Sequence, residues 1–380
     1  MATIAATPSF GKSVSTAKPT IGLALQGAGA KGAYSWGAIE AFIDSDIHIK
    51  ALCGASSGAF NAGLAATGLA KGDPGLAKET LERGWMTMSK KAWGTPFRSQ
   101  PLDKIYQSCW PLYENPMYLM YKAITEHVPQ EIWNASGKNI FREVVEECID
   151  FEAIQTAENF DLFIGATDPK QGQIRIYTNS DISAETVLAS GGLRKTMPAV
   201  NVQGREMWDG GFMENPSVTP LAHNSDVSDI VLVSITPSMI SELPTKPGDI
   251  ETRIQQMLYM SGVYKDMGHI AHMNELIRSG ALDPTKCNER EVLLHRVDNQ
   301  EAPELESSRS CDDLDPDHLL MRRAQGYKAT MDWIQENGHN LGKESTFDPH
   351  CPDTGPIRSP GYIETKQHQD MLEELTSQVG

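Results

Sequence analysis

Two hydrophobic rhythms alternate along the chain. Short apolar runs bounded by turn residues predict buried strands, and apolar residues spaced three and four apart predict helices. "IGLALQ" (21–26) reads as a strand, followed by a helix from about Lys31 to Ile43. "HIKALCG" (48–54) reads as a second strand, running into a helix of small residues, "ASSGAFNAGLAATGLA" (55–70). Strand, glycine-rich turn and helix, twice over, is the order of a parallel α/β sheet. "GLAKETLERGWMTMSKKA" (75–92) is helical. "IFREVVEECIDF" puts Phe141, Val144, Val145, Cys148 and Ile149 on one helical face. Strands are predicted at "DLFIGATD" and "QIRIYTN", with Gly172 in the turn, and at "DIVLVSI". "SAETVLAS" is a short helix capped by Ser183. After Pro237 the texture changes to two long helices, 251–280 and 317–337, with one strand, "EVLLHRV", between them.

These elements predict an α/β fold of three layers, α/β/α, around a mostly parallel central sheet. The expected organisation is a flexible tail at 1–19, a catalytic domain at 20–236 with an aromatic-rich insert at about 92–135, and a helical C-terminal extension with a polar tail at 237–380. The formal net charge of −17 opposes nucleic acid and anionic membrane faces. Any lipid contact must then rest on local apolar surface. No CxxC pair occurs among the six cysteines, and a chain of 380 residues needs no staples, so free thiols are expected. With no secretory signal and no stretch of about 18 apolar residues, the expectation is a cytoplasmic protein, peripheral to membranes at most.

The stretch "GAGAKG" (27–32) has the spacing of a dinucleotide-binding turn, Gly27-x-Gly29-x-x-Gly32. That reading needs an acid at the end of the second strand to hold ribose hydroxyls. The strand ends instead in Cys53 and Gly54. Gly54 opens the run Gly54-Ala55-Ser56-Ser57-Gly58, a serine flanked by glycines between a strand and a helix, which is the pattern of a nucleophile elbow. The Gly-rich turn beside it would then offer backbone N–H groups to an oxyanion and not to a pyrophosphate. A serine needs a base. Of the histidines after Ser56, none sits in a turn that clearly follows a sheet strand, and His223 is nearest to such a place. The other candidate is Asp209, followed by Gly210 and Gly211 in "GREMWDGGFMENPSVTP", where an ordinary Asp-Gly-Gly turn is the competing reading.

Taken in order, "GAGAKG", "GASSG" and "DGG" resemble the patatin-like phospholipase family over roughly residues 20–236, including "ASGGLRKTMPAV" before the DGG turn. The resemblance implies a Ser–Asp dyad without histidine: Ser56 as nucleophile, Asp209 as general base, and an oxyanion hole at Gly27, Ala28, Gly29 and Ala30. Gly32, Gly54, Ser57, Gly58, Gly210 and Gly211 would support the turns. It implies a serine lipid acyl hydrolase, acting on a phospholipid or related lipid ester at a transient membrane or micelle interface. No metal and no cofactor are expected, and no nucleic-acid partner. Ala28 stands where the family often has a glycine, and Lys31 is read as a surface cation or a partner for a substrate phosphate. The insert's Trp93, Phe97, Trp110, Tyr113, Met117, Tyr118, Met120 and Tyr121 form either an acyl-chain cap or plain core. His269, His272 and Glu275 read as a polar helix face. The alternatives are a nucleotide-binding protein, a non-catalytic lipid-binding relative, and a triad using His223.

Overall fold

The computed structural model describes residues 20–98, 105, 109, 116–128, 139–192, 197–287, 289–299 and 308–350. The expected tail at 1–19, residues 351–380 of the C-terminal segment, and Trp110 and Tyr113 of the insert lie outside the described residues. The strands are β1 (Thr20–Leu25), β2 (His48–Gly54), β3 (Asp161–Asp168), β4 (Gln173–Thr178), β5 (Val200–Val202), β6 (Arg205–Asp209), β7 (Asp229–Ser234) and β8 (Leu293–Asp298). They form one sheet in the order β5-β6-β3-β2-β1-β7-β8, with β4 against β3. The pairs β1–β2, β1–β7, β2–β3 and β7–β8 are parallel. Central β1 is buried on both faces, which is why its sequence is a continuous apolar run. Ile21, Leu23 and Leu25 serve one core, and Ala24 serves the other.

Strand β3 organises the functional edge. Its residues 163–168 pair with β4. Residues Asp161–Ile164 pair with β2, and Ala166–Thr167 with β6. A strand has two edges, and β4 fills one of them through this region. Strands β2 and β6 must therefore share the other edge, end to end. Gly54, the last residue of β2, lies opposite Ile164, and Asp209, the last residue of β6, lies opposite Ala166. Residues 200–209, for which the sequence pattern predicts no strand, form the β5–β6 hairpin that delivers Asp209. Gln203 and Gly204 take positive φ at its tip.

Helices α1 (Ala33–Asp44), α2 (Ser57–Leu69) and α3 (Pro74–Lys91) follow β1 and β2. Then come α4 (Pro116–His127), α5 (Ile140–Cys148), α6 (Phe151–Gln155), α7 (Ala184–Ser190) and α8 (Thr219–Asn224). The last are α9 (Pro247–Arg278), α10 (Ser308–Asp312) and α11 (Pro316–Asn337). One core packs α1, α2, α5 and α11 on the sheet, and the other packs α8 and α9. The helical extension thus also supplies a strand, because β8 continues the sheet beyond β7. In the insert, Tyr118 of α4 is buried, while Trp93 and α4 residues Met117, Leu119 and Met120 are exposed. The insert is therefore neither wholly core nor wholly cap.

Helix α11 lies across α1 at a double glycine contact. A Cβ on Gly37 would meet the backbone of Arg323 and Tyr327, and one on Gly326 would meet Tyr34, with its carbonyl carbon at 2.7 Å. The close approach lets Arg323 fork onto the buried carboxylate of Glu40 at 2.7 and 2.9 Å and stack over Trp36 at 4.4 Å. Trp36 Nε1 also donates to Glu40, at 2.9 Å. A buried carboxylate is tolerable only when it is paired and hydrogen-bonded in this way. Gly326→Ala is expected to force α11 off α1 and to destabilise the protein by about 1–3 kcal/mol, the usual cost of overpacking. A denaturant titration of the variant against wild type reads this directly, and an unchanged midpoint would refute it.

Candidate active site

Ser56 stands between β2 and α2 with φ 56° and ψ −131°, in a region non-glycine residues rarely occupy. The flanking glycines make the bend possible. A Cβ on Gly54 would lie 2.5 Å from the backbone of Gly58, and one on Gly58 would strike the Leu25 backbone of β1, its carbonyl carbon at 2.8 Å. The elbow is also tied from the side. Ser56 N–H donates to Ser190 Oγ at 3.1 Å, and Ser190 Oγ donates to the Gly165 carbonyl of β3 at 2.6 Å. Ser190 is wholly buried at the end of α7. The N-terminus of α2 begins one residue after Ser56 and directs its positive end toward the same place.

Asp209 arrives from the opposite direction along β3 and is nearly buried, with 7% of its surface exposed. Its Oδ1 accepts from Gly211 N–H at 2.8 Å, and its carbonyl accepts from Thr167 Oγ1 at 2.8 Å. Gly210 needs its missing side chain. A Cβ there would crowd Gly165, its carbonyl carbon at 2.7 Å, and would reach Ala55 Cβ at 3.3 Å. The acid turn therefore abuts the residue before Ser56. His223 is elsewhere, 3.2 Å from Glu289. His295 is wholly buried between Asp229 and Thr346, at 2.9 Å from each, toward the amino end of β7.

The glycine turn closes the third side. A Cβ on Gly27 would collide with Ala55 O and Ser56 Cβ and lie 3.1 Å from Ser57 N. Two of the four expected donors have partners within the protein. Gly27 N–H donates to Asn215 Oδ1 at 2.7 Å, and Ala28 N–H donates to Ser57 Oγ at 3.0 Å. Both amides are already engaged. Gly29 and Ala30 open the 3-10 turn Gly29–Gly32, and their N–H groups have no partner within it. Gly32 makes room for the Ser57 hydroxyl, which would touch any Cβ there. The third glycine of the pattern thus admits a side chain of α2.

The surroundings come largely from distant segments. Gly29 has φ +59° and packs against α10, where a Cβ would crowd the Cys311 backbone, its carbonyl carbon at 3.0 Å. Burial pushes the Cys311 thiol up, and neighbouring Lys31 opposes this. Lys31 therefore has a protein partner at the edge of the turn. Asp312 accepts from Tyr118 Oη at 3.0 Å, linking α10 to the insert. Below the acid turn, Asp266 of α9 accepts from the N–H groups of Val218 and Thr219 at 3.0 and 3.3 Å. Burial raises the carboxyls of both Asp266 and Glu214, and Asp266 adds to the rise at Glu214. Sequence reasoning missed Ser190 and the side-chain roles of Asn215 and Ser57. Only the proximity of Asn215 to the DGG turn could have drawn attention to it.

The family described as "Patatin-like phospholipase" matches residues 23–222. That range spans all three turns. A search of curated proteins gave no significant match. Among solved structures, VipD from Legionella pneumophila aligns with TM-score 0.37 and 15% identity, over 84% of this chain and 67% of that one. The type III effector ExoU aligns with TM-score 0.29 and 14% identity, over 84% of this chain and 53% of that one. The chain thus spans about half the length of ExoU.

Two outcomes test this geometry. Gly27→Ala drives a methyl into Ser56 and the Ala55 carbonyl. The variant should lose about 1–3 kcal/mol of stability, the usual cost of overpacking, and an unchanged denaturation midpoint would refute the contact. The second concerns pH. Glu214 and Asp266 titrate higher folded than unfolded. The folded state therefore holds more protons, and stability falls as pH rises from about 4 through their raised values. Glu214→Gln cannot ionise, so its denaturation midpoint should gain on wild type as pH climbs through that window. A constant difference between pH 4 and 8 would exclude the effect.

Proposed function

The chain belongs to the patatin-like phospholipase family, a family of lipid hydrolases, and we propose that it cleaves carboxylic esters of lipids through Ser56 and Asp209. The observation that carries this reading is the shared edge of β3, on which the elbow and the acid turn end two residues apart. In the proposed reaction Ser56 Oγ attacks the ester carbonyl while its proton passes to the Asp209 carboxylate. The N–H groups of Gly29 and Ala30, with that of Ser57 at the start of α2, receive the developing oxyanion. Such donors contribute about 3–4 kcal/mol each to lowering the barrier. The proton then goes to the departing alcohol, leaving an acyl-enzyme on Ser56. Asp209 next draws a proton from water as the water oxygen attacks the acyl carbonyl; the bond to Ser56 Oγ then breaks, the proton passes from Asp209 to that oxygen, and the fatty acid leaves. In this proposal residues 20–236 carry the chemistry, and the segment from 237 onward braces it.

The lipid itself would be met beside the acid turn. Trp208 and Met213 are exposed there, and Gly262 of α9 packs against the Met213 and Glu214 backbone. Tyr259 of the same helix reaches Phe212, which in turn reaches Trp208, with ring centroids 6.0 and 6.4 Å apart. The outer face of α9 exposes Ile250, Ile254, Met257 and Leu258, apolar surface suited to a membrane or micelle. No helix among the described residues is long and apolar enough to cross a membrane, so contact of this kind would be at the surface. The nucleotide reading is disfavoured, because two of the turn's amides bind Asn215 and Ser57 and β2 ends in glycine without a ribose-binding acid.

Release of fatty acid from defined phospholipids and p-nitrophenyl esters tests the proposal. Ser56→Ala should fall to background, and Asp209→Asn should lose about 10³-fold or more in kcat, as in other nucleophile–base pairs. Full activity in either variant would refute the assigned roles.

A further inference from the structure

Asn215 is six residues beyond Asp209 on the acid turn and 99% buried. Its carboxamide makes two bonds to one residue on the other side of the site. Oδ1 accepts from Gly27 N–H at 2.7 Å, and Nδ2 donates to the Gly27 carbonyl at 2.8 Å. The two groups are joined across 188 residues of sequence. This is the pairing one strand residue offers another, supplied here by a side chain. It consumes both polar groups of the Gly27 backbone and so holds the two peptides that flank Gly27. The peptides that carry the amides of Gly29 and Ala30 follow directly after them. The same side chain lies beside the acid turn. A Cβ on Gly211 would lie 3.5 Å from Asn215 Cγ and 3.1 Å from Asp209 Oδ1. The amide of Gly211 is the one that holds the Asp209 carboxylate.

We propose that Asn215 is a positioning residue for the reaction, setting the distance between the oxyanion donors and the acid–nucleophile pair. This rests on the assignment of Ser56 and Asp209 as the catalytic dyad. The residue type follows from chemistry, since only a carboxamide of this length presents one acceptor and one donor side by side. Aspartate keeps the acceptor but turns a second acceptor onto the Gly27 carbonyl. Serine is too short to reach both groups. Leucine fills the space and leaves N–H and C=O buried without partners, a costly arrangement.

The test compares wild type, Asn215→Asp and Asn215→Ser on a soluble p-nitrophenyl ester. Rates are normalised to the sites titrated by a fluorophosphonate, so that a smaller folded fraction does not count as lost chemistry. The expected result is a fall of about 100-fold in kcat per titrated site, with KM within a few-fold of wild type. A folded variant, judged by circular dichroism, that no longer titrates supports the proposal as well. A wild-type kcat per titrated site in Asn215→Ser overturns it. If the variants do not fold, hydrogen exchange on the wild-type protein decides. The Gly27 amide should be among the most protected outside the strands, and rapid exchange there overturns the proposal. Failure of wild type itself to label at Ser56 would instead remove the dyad reading, while the exchange measurement still judges the clamp.

Discussion

The site depends on one steric constraint, the meeting of two chain turns head-on along a single edge of β3. Strand β2 climbs that edge from one end and β6 descends it from the other. Between them lies Gly165, whose carbonyl accepts from Ser190 and whose backbone touches Gly210. Each turn can come this close only because side chains are missing where backbones pack. Gly54 and Gly58 clear the elbow, Gly210 clears the acid turn, and Gly27 clears the neighbouring turn. A methyl group at any of these four positions would occupy space already taken by backbone or by Ser56 itself. Close-packed interiors relax little around such intrusions. Glycine at these points is therefore a condition of the geometry, and flexibility is the lesser consideration.

The same crowding explains how few backbone donors remain. Three turns converging in one place bring many N–H groups together, and buried N–H groups need partners. Asn215 takes that of Gly27, Ser57 that of Ala28, Ser190 that of Ser56, and Asp209 that of Gly211. These bonds are stabilising, and each also fixes a peptide plane. The donors left at the opening of the Gly29–Gly32 turn are thus held by neighbours whose own bonds are already made. Preorganised donors of this kind need no rearrangement as charge develops, the usual source of large electrostatic effects in enzymes.

How much of this could be read from residues alone depends on range. Strand β2 was legible to the residue because a short apolar run ends in a glycine-flanked serine. Strand β3 was equally legible for its unbroken burial. The hairpin before Asp209 was not. Strand β6 exposes Arg205, Glu206 and Trp208 and buries only Met207 and Asp209, so its short sequence carries almost no period. Ser56 and Asp209 advertise themselves because glycines crowd around them in sequence. Ser190 and Asn215 act on partners 134 and 188 residues away, and a single buried polar side chain leaves no pattern in its own neighbourhood. The partners of the Gly27 and Ala28 amides were illegible for the same reason. A count of amides in a turn says nothing of which distant side chain has claimed them.

The segment after residue 237 bears on the site for a related reason. Short helix α10 rests on Gly29, and Leu314 beyond it accepts from Ser89 Oγ and donates to the Phe97 carbonyl, at 2.7 Å each. Helix α11 then locks onto α1 through the Gly37–Gly326 crossing and the Arg323–Glu40 pair. The turn bearing Gly29 and Ala30 is consequently held from beneath by α2, from the side by Asn215, and from above by α10. A one-turn helix on its own is marginal. This one gains its rigidity from contacts contributed by segments hundreds of residues apart, which is why the C-terminal part of the chain belongs to the architecture of the site although it carries none of the proposed chemistry.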